Sequence, residues 1–337
     1  MSINNRKIVL AARPAGMVKE SDFRMEEAAL PDLNEGEVLI HSTWLSVDPY
    51  MRGRMSERKS YAEPVGLGDV MIGEAVGKVE QSRNARFQEG DIVAGMLGWQ
   101  EYAISGGRDL RKVDPSHAPV STALHVLGMP GLTAYFGLID VCQARAGETV
   151  VVSGAAGAVG STVGQIAKNI GCRVVGIAGS DAKTKWLTEE LGFDAAINYK
   201  ATDNCFKALR PKCPDGVHCY FDNVGGPVTD AVFSLLAERA RIAICGQISI
   251  YNAQKAEQGP RLLWQLIVKR ATVRGFIVFD FAERYGEALK QLGAWVKSGE
   301  LRYRENIVDG LENAPKAFIG LFEGANIGKQ LVRISES

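Results

Sequence analysis

The run TVVVSGAAGAVGSTVGQIA, residues 149–167, holds a strand, a turn and a helix in unbroken succession. Val150, Val151 and Val152 read as a buried strand. Gly154, Ala155, Ala156, Gly157, Ala158, Val159 and Gly160 then form a turn of small residues. Val159, Val163, Ile166, Ala167 and Ile170 recur at helical spacing, and Gly171 supplies a stop. At such a junction the free backbone N–H groups and the positive end of the helix dipole converge, which suits a bound phosphate. Small residues also let the backbone approach a pyrophosphate and let the helix pack closely on the strand. The common Gly-x-Gly-x-x-Gly spacing becomes Ala155-x-Gly157-x-x-Gly160 here, preceded by Gly154. Glycines alone are a weak signal. The strand before them and the helix after them supply the context of a dinucleotide-binding βαβ unit.

Working outward, strands alternate with helices from about Leu127 onward. Strand candidates are Thr149–Ser153, Arg173–Ala178, Ala195–Asn198, Val217–Phe221, Ile242–Cys245 and Val273–Val278. Helical patterns lie at Ser161–Ile170, Asp181–Leu191, Pro227–Ala237 and Pro260–Lys269. This alternation predicts an α/β architecture with a doubly wound parallel sheet. Before about Val126, short β-like runs such as Glu37–His41, Glu74–Val79 and Asp91–Ala94 are separated by Gly, Pro, Asn and Asp. They predict a compact, mostly antiparallel β domain. From about Tyr303 the pattern turns β-like again, so the expected organisation is 1–126 with 303–337 as a β-rich catalytic domain and 127–302 as the nucleotide domain.

The 337 residues leave room for about two domains. Lys+Arg and Asp+Glu number 39 each, and without a long basic run nothing supports a nucleic-acid partner. The apolar run Ile8–Ala12 is too short for a secretory signal. Residues 149–167 approach a membrane span in length but are too polar and are broken by the glycine turn. All six cysteines fall at or after Cys142 with no Cys-x-x-Cys pair, which reads as reduced thiols in a cytoplasmic protein.

The second strand decides between nicotinamide cofactors. A site for NAD usually places Asp or Glu at that strand's end, on the ribose hydroxyls. Here the strand ends in Gly179-Ser180 with no acid. Lys183 suits a 2′-phosphate, Ser180 can donate a hydrogen bond to it, and Asp181 is read as a helix N-cap. The balance favours NADP(H).

Further motifs are Asp48-Pro-Tyr-Met-Arg52, Gly128-Met-Pro-Gly-Leu-Thr-Ala-Tyr135, Gly192-Phe-Asp194 and Asn198-Tyr-Lys200. Tyr220-Phe-Asp-Asn-Val-Gly-Gly226, Cys245-Gly-Gln-Ile-Ser-Ile-Tyr-Asn252 and Asn326-Ile-Gly-Lys329 follow in order. Over its full length the chain resembles the medium-chain dehydrogenase/reductase superfamily. Within it, the likeness is to zinc-independent, NADPH-dependent alkenal/enone double-bond reductases, including leukotriene dehydrogenase/prostaglandin reductases and curcumin reductase. The resemblance implies a GroES-like first domain and a homodimer joined through the nucleotide domains. It implies that Gly157, Ala158, Val159 and Gly160 approach the pyrophosphate, and that Lys183 and Tyr199 hold the 2′-phosphate end. It further implies that Asn223, the Cys245–Tyr251 loop (Cys245, Gly246, Ser249), Phe276, Ile277, Val278 and Asn326 contact the rest of the cofactor.

Zinc is tested by the residues themselves. Medium-chain alcohol dehydrogenases draw cysteine and histidine ligands from the first domain. No cysteine precedes Cys142, and Gly73-Glu74 lacks the His of a Gly-His-Glu motif. His41, His117 and His125 have no thiolate partners nearby in sequence, and His218 and Cys219 point to opposite faces of one strand. No metal site is expected.

Reduction of an enal or enone, with hydride adding at the β-carbon, leaves an enolate that needs donors and a proton for the α-carbon. Tyrosine, with a pKa of ~10, stays a protonated donor at neutral pH. Tyr251 in the loop after the fifth strand, Tyr50 in the Asp48 motif and Tyr61 in a Pro/Gly-rich loop are the candidates, each balanced against an ordinary half-buried aromatic. Arg52 is left open between an acidic substrate tail and a structural ion pair. The expected function is NADPH-dependent reduction of conjugated C=C bonds in an interdomain cleft. A quinone reductase and a non-catalytic cofactor-binding protein are the rivals.

Overall fold

The computed structural model describes residues 3–335. Its contacts divide into two units, the described residues up to Leu124 with those from Glu305 onward, and His125–Arg304.

In the first unit β1 (Asn4–Leu10) and β2 (Phe23–Ala29) form an antiparallel pair. β3 (Val38–Ser46), β4 (Ala75–Ser82), β5 (Ile92–Gly95), β6 (Tyr102–Ser105) and β7 (Arg111–Lys112) follow. β3 pairs antiparallel with both β4 and β6, and β5 bridges β4 to β7. Trp99 anchors the core, stacked on Phe23 at 5.4 Å and edge-on to Phe318 at 5.9 Å. Gly73 lies against this indole. A Cβ there would meet Leu45 Cδ1 at 2.8 Å and Trp99 Cδ1 at 2.9 Å, so position 73 admits no side chain.

The second unit carries β8 (Thr149–Ser153), β9 (Arg173–Ala178), β10 (Ala195–Asn198), β11 (Val217–Asp222), β12 (Leu236–Ile244) and β13 (Thr272–Gly275). All are parallel, in the order β10-β9-β8-β11-β12-β13. Strand order reverses between β8 and β11, the switch point where open α/β sheets bind ligands. The expected doubly wound sheet is therefore present. Some boundaries differ. The first crossover helix begins at Ala158, not Ser161. The helix expected to reach Ala237 stops at Phe233, and β12 starts at Leu236. A register shift explains the miss: Val217 pairs with Leu236 but Cys219 pairs with Arg241, leaving a bulge where Arg239 takes φ +59°. The bulge breaks the alternation that marks a strand. β13 ends at Gly275 because residues from Val278 turn into a 3₁₀-helix.

The chain then returns to the first unit as β14 (Glu305–Asp309) and β15 (Lys329–Arg333), with β15 antiparallel to β3. Between them lies a helix, Ala314–Glu323, that the β-like expectation missed. Ala314, Ala317, Phe318 and Leu321 recur at helical spacing and pack into the core.

Lys329 opens β15 only 1% exposed. Its ammonium donates to the Val47 carbonyl at 3.0 Å and to Asp48 Oδ1 at 2.7 Å. Ser46 also donates to the Asp48 carboxylate. The last strand thus pins the loop that carries Tyr50. Lys329→Met is expected to lower unfolding free energy by about 3–5 kcal/mol, because it strands a buried carboxylate. Adding Asp48→Asn should recover part of that loss in chemical denaturation.

Candidate active site

The turn after β8 is shaped by close backbone approach. Gly154 takes φ +58°, and a Cβ on Gly160 would lie 2.4 Å from the Gly154 carbonyl oxygen and 2.8 Å from Ala155 Cα. The helix start is therefore pressed onto the turn, and the space a side chain would fill stays open to the backbone. Gly157 stands at the N-cap, so Ala158, Val159 and Gly160 form the first turn, whose N–H groups have no partners within the helix. This cradle fits a pyrophosphate.

Beside it, Asp222 ends β11 fully buried. Its carboxylate accepts from Ser153 Oγ at 2.8 Å, Tyr220 OH at 2.8 Å, Thr229 Oγ1 at 2.7 Å and Gln247 Nε2 at 3.1 Å. The N–H groups of Val224 and Gly225 add two bonds at 3.0 Å. The Asp222 carbonyl accepts the N–H of Cys245 at 2.8 Å and of Gly246 at 3.0 Å. Asn223 is held to Ser153 by its backbone N–H at 2.8 Å and its side-chain amide at 2.7 Å. Asp222 thus ties the ends of β8 and β11 to the 245–249 loop. The sequence motifs single out only Asn223 here, as a cofactor contact, and do not reveal this hub. The signal was a carboxylate closing an apolar strand, which burial makes untenable without donors.

At the end of β9, Ser180 is the N-cap of the helix Asp181–Glu189, its hydroxyl oxygen accepting the Lys183 N–H at 3.3 Å. This corrects the expectation that Asp181 caps the helix. The Asp181 carboxylate instead accepts from Asn198 Nδ2 at 2.8 Å, so it is engaged at the end of β10. Tyr199 lies alongside, its Cε1 3.3 Å from where a Cβ on Gly179 would stand.

In the loop after β12, the Tyr251 hydroxyl oxygen accepts the Gln247 N–H at 3.2 Å and lies over Gly246. Ser249 N–H donates to the Val224 carbonyl at 3.0 Å. Burial pushes the Cys245 thiol up to about 12, with Asp222 adding to the shift, so it stays protonated near neutral pH. Phe276 meets Phe221 edge-on at 6.1 Å, Ile277 precedes the 3₁₀ turn, and Val278 is buried.

The remaining candidates belong to the first unit. Asn326 bonds the Gly328 carbonyl through its amide at 2.7 Å. The Tyr50 hydroxyl is buried with no hydrogen-bond partner among the described residues. Burial first, then the charges of Asp48 and Glu74, hold this phenol well above the ordinary value. Tyr61 is 58% exposed. Arg52 is buried and donates to the carbonyls of Pro14 at 3.2 Å and Gly16 at 3.1 Å, a structural role that withdraws it from solvent.

The donor set does not fit zinc. Among the described residues no three His, Cys, Asp or Glu side chains are grouped to hold a metal ion. His41 stacks on Tyr102 at 4.5 Å, exposed His117 pairs with Asp114 at 3.1 Å, buried His125 meets Tyr303 edge-on at 5.9 Å, and His218 Nδ1 accepts the Thr149 N–H at 3.2 Å. Burial raises the Cys213 thiol to about 11.

Residues 6–113 match the family described as the N-terminal domain of oxidoreductase, and residues 158–294 match the zinc-binding dehydrogenase family. The NADPH-dependent curcumin reductase of Escherichia coli K12 is 47% identical, over 98% of this chain and 97% of that one. Bos taurus prostaglandin reductase 1 is 45% identical over 94% of this chain and 95% of that one. The crystal structure of CurA in complex with NADPH from Vibrio vulnificus superposes with a TM-score of 0.94 at 48% identity, covering 98% of this chain and all of the other. The chain belongs to the medium-chain dehydrogenase/reductase superfamily, in its zinc-independent alkenal/enone reductase group.

Glu74, beside the glycine that excludes a side chain, is a titratable group the motifs did not flag. Its Oε2 is buried without a hydrogen-bond partner among the described residues. Burial raises the carboxyl from 4.5 to about 7, with Asp48 adding and Arg111 and Lys329 opposing. The folded protein therefore keeps a proton that the unfolded chain releases, and stability falls as pH rises from 4.5 to about 7. Glu74→Gln should remove that slope and stabilise the protein above pH 7 by up to about 3 kcal/mol, read from denaturation across pH.

Proposed function

We propose that this protein reduces the C=C bond of α,β-unsaturated aldehydes and ketones with NADPH. The observation that carries this reading is the end of β9, where Gly179-Ser180 leads to Lys183 and the nearby carboxylate of Asp181 is bonded to Asn198. A 2′-phosphate is favoured there and a bare ribose is not. Bound NADPH supplies the hydride for the β-carbon of the substrate.

The chain's own part is to bind, orient and manage charge. Gly157, Ala158, Val159 and Gly160 hold the pyrophosphate through the helix start. Ser180, Lys183 and Tyr199 hold the 2′-phosphate, with the Ser180 hydroxyl still able to donate. Asn223, Cys245, Gly246, Ser249, Phe276, Ile277, Val278 and Asn326 contact the remainder. The enolate oxygen takes a hydrogen bond from a phenol. In Tyr251 the oxygen accepts the Gln247 N–H, which orients the phenol. Tyr50, whose ionisation burial strongly disfavours, stays a donor throughout the neutral range. Tyr61 serves as a third, exposed hydroxyl.

A panel of enals, enones and quinones should show NADPH oxidation with the conjugated carbonyls and recovery of the saturated product. Preference for quinones would overturn the substrate assignment. Tyr251→Phe is expected to lower kcat/KM about 10²-fold, the usual range for a lost acid or oxyanion donor. Unchanged turnover would remove that hydroxyl from the chemistry.

Assembly as a homodimer through the nucleotide units, in the cytoplasm, completes the proposal. β13 is the outer strand of its sheet and is exposed throughout. On the helix Leu263–Lys269, Leu263, Trp264 and Ile267 are 71%, 67% and 68% exposed, an apolar stripe that a second copy can cover. No described helix is long and apolar enough to cross a membrane. The cysteines are all free thiols. Trp264→Glu should convert the dimer to monomer in light scattering coupled to size exclusion.

A further inference from the structure

We infer that Lys200 is a second cation for the cofactor's 2′-phosphate, sharing that charge with Lys183. The inference rests on the proposed placement of this phosphate at the ends of β9 and β10.

The sheet brings the two lysines together. Asn198 pairs with Ala178, so residues 199–200 flank Gly179-Ser180 on the same edge. A Cβ built on Gly179 would lie 3.3 Å from Tyr199 Cε1, 3.5 Å from its hydroxyl and 3.4 Å from Lys200 Cε. The Lys200 stem therefore folds back over the turn that opens the Lys183 helix. Asn198 secures this arrangement from both sides. Its Oδ1 accepts the Lys200 N–H at 3.1 Å while its Nδ2 holds the Asp181 carboxylate at 2.8 Å.

The two cations act on one another. Burial and then the nearby Lys200 charge both lower the Lys183 ammonium from its ordinary value, so the two cations repel each other. Among the described residues no carboxylate forms an ion pair with Lys200. Two converging ammonium groups disfavour one another unless an anion sits between them. A phosphate monoester carries a charge near −2 at neutral pH, which one lysine leaves half neutralised. Lys183 reaches it from the helix start and Lys200 from the neighbouring strand end, with the Tyr199 phenol alongside. A bare ribose hydroxyl offers neither cation a negative charge to pair with, so the pair also discriminates against NADH.

Steady-state kinetics with NADPH and NADH on the full-length enzyme test this, comparing Lys200→Gln, Lys200→Arg, Lys183→Gln and Lys207→Gln, a surface control. Lys200→Gln should raise the NADPH KM about 1.5- to five-fold, the range for an exposed charge pair, with kcat and the NADH KM unchanged. Lys200→Arg should restore most of the loss. An unaltered NADPH KM in Lys200→Gln, with Lys183→Gln impaired, overturns the role of Lys200 alone. No NADPH-selective effect in either variant overturns the placement of the phosphate itself. Equal losses for both cofactors refute phosphate recognition by Lys200. Independently, NMR titration of the Lys183 ammonium in the folded apoprotein should move to higher pH in Lys200→Gln. An unmoved titration overturns the coupling.

Discussion

A carboxylate withdrawn from water must be surrounded by donors, and Asp222 turns that requirement into architecture. Its side chain draws in hydroxyls from Ser153, Tyr220 and Thr229, an amide from Gln247 and two backbone N–H groups. Its carbonyl then takes the N–H groups that start the next loop. One residue thereby fixes the ends of β8 and β11, the entry to the helix Gly226–Phe233 and the path of residues 245–249. The loop that carries Tyr251 and Ser249 is anchored at this point by the bonds of Cys245, Gly246 and Gln247 to Asp222. Preorganisation of this kind is what cofactor recognition needs, since binding energy is then not spent on ordering loops.

In the first unit, packing and charge replace metal-ligand chemistry. Gly73 is held side-chain-free by Leu45 and the Trp99 indole, which gives a steric reason for the missing histidine before Glu74. Around Glu74 stand Asp48, Arg111 and Lys329, and Tyr50 shares their field. These groups form a buried electrostatic cluster whose positive charge comes from side chains.

The sheet was legible because its signals are local. Val150–Val152, Arg173–Ala178 and Ala195–Asn198 are short apolar runs between glycine or polar breaks, and the structure places the strands on those residues. What escaped reading was non-local or irregular. The bulge at Ala237–Ala240 hid half of β12 behind Glu238 and Arg239. The helix Ala314–Glu323 was masked by flanking β-like segments, though its apolar spacing was there to find. Ser180 and Asp181 are both good caps by type, and only the observed bond to the Lys183 N–H separates them. The roles of Asp222 and Lys329 depend on partners many residues away, which no periodicity encodes. The same holds for Arg52, whose carbonyl partners belong to the Pro14–Gly16 turn.

The burial of Lys329 against Asp48 also orders events on the ribosome. Residues 125–304 are contiguous and hold their own sheet, whereas the first unit joins both ends of the sequence. When Asp48 has emerged, its ammonium partner and the two closing strands are still to be translated. The nascent β segment must wait, interior unfinished, while the middle of the polypeptide can already collapse around its nucleotide cradle. Completion of the first unit therefore follows synthesis of the segment that carries β14 and β15.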